Sequence, residues 1–131
     1  MTQSMELILV IDDDRDLCEL LVEYLTREGF WVETAHDGEK GIKKALTGTY
    51  GVVVLDVMLP DINGKEVCQR VRNDKTMNDV RIICISGMVE EDKVSELREA
   101  GANDFMHKPF EVEKLVDRMC HHLDIEAVHS S

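Results

Sequence analysis

Basic residues are scarce in this chain: 15 lysines and arginines stand against 27 aspartates and glutamates, a formal net charge of −12. Such a surface repels nucleic-acid phosphate, and no basic stripe offsets it, so direct nucleic-acid binding is not expected of this domain. Long apolar runs are also missing. No stretch approaches the roughly 20 residues that span a bilayer. The N-terminus, Met1 to Glu6, lacks the basic start and apolar core of a signal peptide. No membrane association is expected, and the expected location is the cytoplasm. Cys18, Cys68, Cys84 and Cys120 form no C-x-x-C pair, which argues against zinc and thioredoxin chemistry and for reduced thiols. His36, His107, His121, His122 and His129 form no H-x-x-x-H pattern and read as surface residues. There is no internal repeat, low-complexity tract or linker before about residue 124.

What remains is an alternation. A chain of 131 residues, 44% of them hydrophobic, suits one domain around one core. Apolar runs at Leu7 to Ile11, Phe30 to Ala35, Val52 to Leu55, Val80 to Ile85 and Asp104 to His107 read as strands. The second carries Glu33 and Thr34 among its apolar residues, which suits a sheet edge. Between the strands lie helical patterns. Leu17, Leu20, Leu21, Tyr24 and Leu25 share one face, with Gly29 as a stop. Asp37 caps a helix through Ile42, Ala45 and Leu46 that ends near Gly48. Asn63 and Glu66 mark the start of a third, with Val67 and Val71 inward. Glu90, Glu91 and Asp92 suit the first turn of a fourth, with Val94 and Leu97 inward and Gly101 ending it. Val112, Leu115, Val116, Met119 and Leu123 form the fifth stripe. Strict alternation predicts an α/β fold, a doubly wound five-stranded parallel sheet with five helices. Residues 1–124 read as the domain and 125–131 as a tail or linker.

The strands deliver polar residues to one edge. Asp12 and Asp13 end the first strand, Asp56 the third, Ser86 the fourth, and Lys108, just before Pro109, the fifth. In a parallel sheet these ends line one side, and neighbouring strands are about 4.8 Å apart. Clustered carboxylates repel unless a cation sits among them, and Mg²⁺ suits oxygen ligands. Lys108 supplies a positive charge for a phosphoryl oxygen and Ser86 a hydroxyl donor, which makes a site for phosphoryl transfer. Asp56 would be the nucleophile and form an aspartyl phosphate. Taken singly, each residue has a plainer role. The acidic run can cap a helix, Asp56 and Ser86-Gly87 can sit in turns, and Lys108-Pro109 can be a loop. Their joint occurrence at the ends of separate strands is what favours chemistry.

Four segments carry a resemblance: Leu7 to Asp14, Val54 to Gly64, Ile85-Ser86-Gly87 and Asp104 to Phe110. Over roughly residues 5 to 123 the chain resembles the receiver domain of bacterial two-component response regulators. The resemblance implies a flavodoxin-like strand order of 2-1-3-4-5. It implies that Asp56 is the phosphoacceptor, charged by a sensor histidine kinase or a histidine phosphotransfer protein. It assigns Mg²⁺ to Asp13, Asp12, Asp56 and the Met58 carbonyl, and the switch to Ser86 and Phe105. Lys108 matches the family lysine, whose bond to the following proline is typically cis. The chain would then be no enzyme toward other molecules, catalysing only its own phosphorylation and dephosphorylation. Ser86 stands where threonine is commoner and Phe105 where tyrosine is commoner, so no phenol is available at that position. Met58 and Met88 fall at positions that tune the phosphoryl lifetime; both are apolar, and slow autodephosphorylation is expected. The output face would include parts of Val89 to Lys93 and Phe105 to His107, meeting a downstream protein or a missing output domain. A homodimer through the helix-four to helix-five face is within the family's range. The start near residue 1 favours an N-terminal receiver over one from a hybrid kinase.

Three other readings fit less well. A haloacid-dehalogenase-like phosphatase needs an Asp nucleophile with a second Asp two residues on, which Asp12-Asp13-Asp14 offers, but Arg15-Asp16 stands in place of the expected Gly-Thr continuation. A nucleotide or flavin module puts glycines and hydroxyls after strand one, where this chain has three acids. A scaffold that has lost its chemistry would not keep the whole set of polar residues.

Overall fold

The computed structural model describes residues 6–87 and 91–125. In chain order the elements are β1 (Leu7–Ile11), α1 (Arg15–Arg27), β2 (Trp31–Ala35), α2 (Gly38–Thr47) and β3 (Val52–Asp56). There follow α3 (Gly64–Arg72), a 3-10 turn (Lys75–Met77), β4 (Arg81–Ser86), α4 (Glu91–Ala100), β5 (Asp104–His107) and α5 (Val112–Leu123). The strands form one parallel sheet in the order β2-β1-β3-β4-β5. The polar-interleaved β2 is at one edge and β5 at the other.

Period-two side-chain alternation splits the core into two layers. Ile8, Val10, Val52, Val54, Ile83 and Ile85 face α1 and α5, where Leu21, Leu25, Leu115 and Met119 pack on them. Leu9, Ile11, Val53, Leu55, Ile82 and Cys84 face α2, α3 and α4, meeting Ile42, Val67, Val71 and Leu97. Because both faces are covered, the central strands are apolar except at their ends, where Arg81, Asp56 and Ser86 stand. Each such side chain contributes about 1.5–3 kcal/mol by leaving water.

The helix starts follow local chemistry. Asp14, Asp37 and Asn63 each accept a hydrogen bond from an amide three residues on, those of Leu17, Lys40 and Glu66, satisfying donors that the helix itself cannot. Gly29 (φ 97°) and Gly101 (φ 116°) follow α1 and α4 in the left-handed region that favours glycine.

Several sequence-based assignments shift. Leu20 and Leu46 are exposed, not inward; Cys18 takes the buried place on α1. Val94 is only half-buried, while Leu97 and Ala100 carry the inner face of α4. Phe30 and Val80 are buried but precede β2 and β4, and Asp56 belongs to β3 itself. Asp124 follows α5 as its cap, at φ 56°. Trp31, the single tryptophan, opens the edge strand β2 and is 59% exposed. Met88, Val89, Glu90 and the tail from residue 126, including His129, lie outside the described residues.

Candidate functional site

Asp12 follows β1, and its N–H donates to the Ala35 carbonyl of β2 at 3.0 Å, which continues the ladder one residue past the strand. Its carboxylate is fully buried (0% exposed), with Oδ1 accepting from the Asp14 N–H at 2.9 Å. Asp56 closes β3 and is 5% exposed; its Oδ1 accepts from the Met58 N–H at 3.0 Å. Asp13 is exposed at the rim. One carboxylate oxygen from each of Asp12, Asp13 and Asp56 falls within 4.8 Å of the others. The acidic run therefore divides its labour: Asp14 caps α1, while Asp12 and Asp13 join Asp56.

Lys108 follows β5, its N–H donating to the Ser86 carbonyl at 2.8 Å, and its bond to Pro109 is cis. The ammonium lies 2.7 Å from Asp12 Oδ2 and 3.2 Å from Asp56 Oδ2. The ammonium offsets part of the negative charge of these two buried carboxylates. Burial pushes the Asp56 carboxyl above its ordinary value and the Asp12 charge adds to this, while the Met58 N–H and Lys108 pull the other way. Burial acts to lower the Lys108 ammonium, but contacts with Asp12 and Asp56 win and hold it above its ordinary value.

The charge count tests whether a metal fits. Three carboxylates less one ammonium leave a local charge of two minus. The donors are all hard oxygens, the set that suits Mg²⁺ rather than a soft metal. Buried Asp12 Oδ2 accepts no hydrogen bond of good geometry from the described residues, although Lys108 approaches it closely. A divalent cation would balance the charge and use that oxygen, so the residues present fit one.

Ser86 is buried at the end of β4 and lines a cavity of about 550 Å³ with Asp13, Met58, Leu97 and Phe105. Phe105 is half-buried on β5, its ring edge-on to His107 with centroids 6.0 Å apart. The chemical quartet of Asp12, Asp13, Asp56 and Lys108 is thus brought together, with Ser86 and Phe105 in the wall beside it. Met58 is 57% exposed and touches the site through its backbone.

The turn after β3 is tight. The Gly64 N–H donates to the Val57 carbonyl at 2.8 Å, and a Cβ on Gly64 would stand 2.7 Å from Val57 Cα, so only glycine allows the return. Met58 bridges to Asn63 across the same loop. At its tip Asp61 accepts from the Gly38 and Glu39 amides of α2. No role for Asp61 is readable from sequence, because its partners lie 23 and 22 residues away and an aspartate after proline reads as a turn residue.

Residues 8–120 match the family model of the response regulator receiver domain. Response regulator ArlR of Staphylococcus aureus is 38% identical over 112 residues, covering 86% of this chain and 50% of the relative. The chain spans about half the length of the curated relatives it matches. Among solved structures, response regulator DrrB of Thermotoga maritima, described as an OmpR/PhoB homolog, superposes with a TM-score of 0.81 at 30% identity. That match covers 97% of this chain and 57% of DrrB. A two-component response regulator from Clostridium difficile gives a TM-score of 0.85 at 27% identity, over 92% of this chain and 97% of that one.

Proposed function

The chain belongs to the response regulator receiver family, and from that premise we propose that it accepts a phosphoryl group onto Asp56 from a phosphohistidine donor in a Mg²⁺-dependent reaction. The observation that carries this reading is the Lys108 ammonium set between the buried carboxylates of Asp12 and Asp56, with Asp13 alongside. Asp12, Asp13, Asp56 and the Met58 carbonyl would hold Mg²⁺, which when bound neutralises charge so that an anionic phosphoryl group can approach a carboxylate.

The chain's own residues do the rest. The Met58 N–H holds Asp56 Oδ1, which leaves Oδ2, the oxygen paired with Lys108, as the nucleophilic atom. As Oδ2 bonds to phosphorus, the P–N bond of the donor phosphohistidine breaks and its electron pair returns to the donor imidazole. Lys108 meanwhile exchanges its contact with that oxygen for a phosphoryl oxygen, so its positive charge stays where negative charge builds. The Ser86 hydroxyl, at the end of the neighbouring strand, supplies a further donor. The new group brings extra charge and three acceptor oxygens. Drawing Ser86 toward them opens room along β4 for Phe105, which already lines the same cavity. Two packings of the face built by α4, β5 and α5 are then in balance, and phosphorylation biases them.

The donor is a sensor histidine kinase or a histidine phosphotransfer protein. The recipient of the signal is a downstream protein or an output domain, in keeping with relatives only half of whose length the match covers. The domain acts catalytically only on its own phosphorylation and dephosphorylation, in the cytoplasm. The test is incubation with acetyl phosphate and Mg²⁺, followed by intact mass. The parent should gain one phosphoryl group and Asp56→Asn none. Equal labelling of the variant, or sustained turnover of phosphate monoesters, would overturn the reading.

A further inference from the structure

The loop of residues 57–63, between β3 and α3, is fastened at two places. Its base is closed by the Gly64–Val57 hydrogen bond and the Met58–Asn63 bridge. Its tip is fastened to a different element. Asp61 Oδ1 accepts from the Gly38 N–H at 2.7 Å, and Oδ2 from the Glu39 N–H at 2.9 Å. These are the first two amides of α2. The third, on Lys40, is already taken by the local cap Asp37 at 2.8 Å. One local cap is the ordinary provision for a helix start. The Asp61 carboxylate is therefore an addition whose effect is to tie the loop down at both oxygens.

The seat itself is shaped for this contact. A Cβ on Gly38 would fall 2.3 Å from Ile62 Cγ1 and 3.1 Å from Asp61 Oδ1, so the glycine lets the loop tip approach the helix. Burial acts to raise the Asp61 carboxyl, but the Gly38 and Glu39 amides win and hold it below its ordinary value. The tether is thus charged at neutral pH.

We propose that Asp61 is a positioning residue for the phosphoacceptor site: by clamping the loop tip to the start of α2 it fixes the Met58 backbone, which in turn holds Asp56 Oδ1. The inference rests on the functional reading given above. Between Asp61 and Asp56 the chain of contacts is short: Asp61 to the Gly38 amide, the Met58–Asn63 bridge across the loop, and the Met58 N–H on Asp56. A loop freed at its tip would let the Met58 carbonyl and the Asp56 carboxylate drift apart, and small misplacements at such a site are costly.

The test compares Asp61→Ala with Asp37→Ala in the full chain. Both remove a cap from the same helix start, but only the first releases the loop. Mg²⁺ affinity is measured by calorimetry, phosphorylation by acetyl phosphate, and stability by thermal melting. Asp61→Ala should raise the Mg²⁺ Kd roughly fivefold or more and slow phosphorylation to a similar degree. Asp37→Ala should melt earlier by a similar margin and keep its Kd within about twofold of the parent. Gly38→Ala, which pushes on Ile62 with Asp61 intact, should also weaken Mg²⁺ binding, and serves if Asp61→Ala does not fold. Parent-like Mg²⁺ affinity in both Asp61→Ala and Gly38→Ala would overturn the inference, as would an equal loss in Asp37→Ala. A parent that binds no Mg²⁺ would overturn the functional reading and this inference with it.

Discussion

Lys108 Nζ lies 3.2 Å from Asp56 Oδ2, a contact made across 52 residues of chain between the ends of two strands that are not neighbours in the sheet. Lys108 also reaches the buried Asp12, so it stands in for a cation when no other is there. Lys108→Ala should therefore have opposite effects on two properties. The metal-free protein should lose ~2 kcal/mol, because the buried carboxylates of Asp12 and Asp56 lose their counter-charge. Mg²⁺ should bind about tenfold more tightly, because the internal competitor is gone. Phosphorylation should nonetheless fall roughly 100-fold, since charge developing on the phosphoryl group loses its partner. Urea unfolding, calorimetry and acetyl phosphate labelling read the three effects separately.

Asp104 ties β5 to α5, with Arg118 Nη1 at 2.6 Å on one oxygen and His122 Nε2 at 2.9 Å on the other. Burial would raise this carboxyl, but the His122, Arg118 and Phe105 N–H hydrogen bonds win and hold it below its ordinary value of 3.8. A depressed carboxyl stabilises the fold above its unfolded value and loses that contribution as pH falls through the folded one. Asp104→Asn should accordingly cost about 1 kcal/mol at pH 7, a modest figure because Arg118 is half-exposed. The gap between variant and parent should narrow as pH drops below 3.8. Urea titrations at neutral and acidic pH check the sign.

Met58 is exposed two residues beyond Asp56, with an apolar side chain beside the site. It offers nothing to orient an attacking water. Once Asp56 is charged, Met58→Asn should shorten the phosphoryl lifetime about tenfold, equivalent to ~1.4 kcal/mol in the hydrolysis barrier. Loss of the phosphorylated band over time on a phosphate-affinity gel measures it. A half-life of only seconds in the parent would contradict the slow autodephosphorylation expected of its apolar neighbours.

All four cysteines are buried and free. Burial first, and then Asp12 and Asp14, push the Cys18 thiol up to about 11, and its Sγ donates to the Asp12 carbonyl at 3.4 Å. Ellman's reagent should react with the native thiols at least about 100-fold more slowly than with the chain in guanidinium, where all four should titrate.

The strand ends were legible because a run of β-branched residues stopping at a polar one is a local signal. Asp12, Asp56 and Ser86 each carry it. Lys108 follows Asp104-Phe105-Met106-His107, which has no β-branched residue, and is marked instead by the proline after it. A parallel topology then puts all four on one side. The helix faces were less legible. Leu20 and Cys18 both lie within the stripe of α1, and hydrophobicity favours leucine, yet Cys18 is the buried one. The slot beneath it is bounded by the Asp12 backbone and suits a small thiol that can donate to it. Leu46 stands on the last turn of α2, exposed, while Ile42 and Ala45 take the buried face of that helix. Asp61 was illegible for another reason. Its meaning depends wholly on where α2 begins in space, and nothing near it in sequence records that.

The lone indole, at the opening of the outermost strand, has a practical corollary. The acids cluster where strands finish, whereas Trp31 pairs with Leu7 where β1 starts, and a five-residue strand is about 17 Å long. Ultraviolet-excited emission from this protein should therefore stay constant through magnesium titration and phosphorylation, yet report denaturation. An optical probe for the signalling event has to be installed, and Phe105→Trp in a Trp31→Phe background would put one beside the cavity wall.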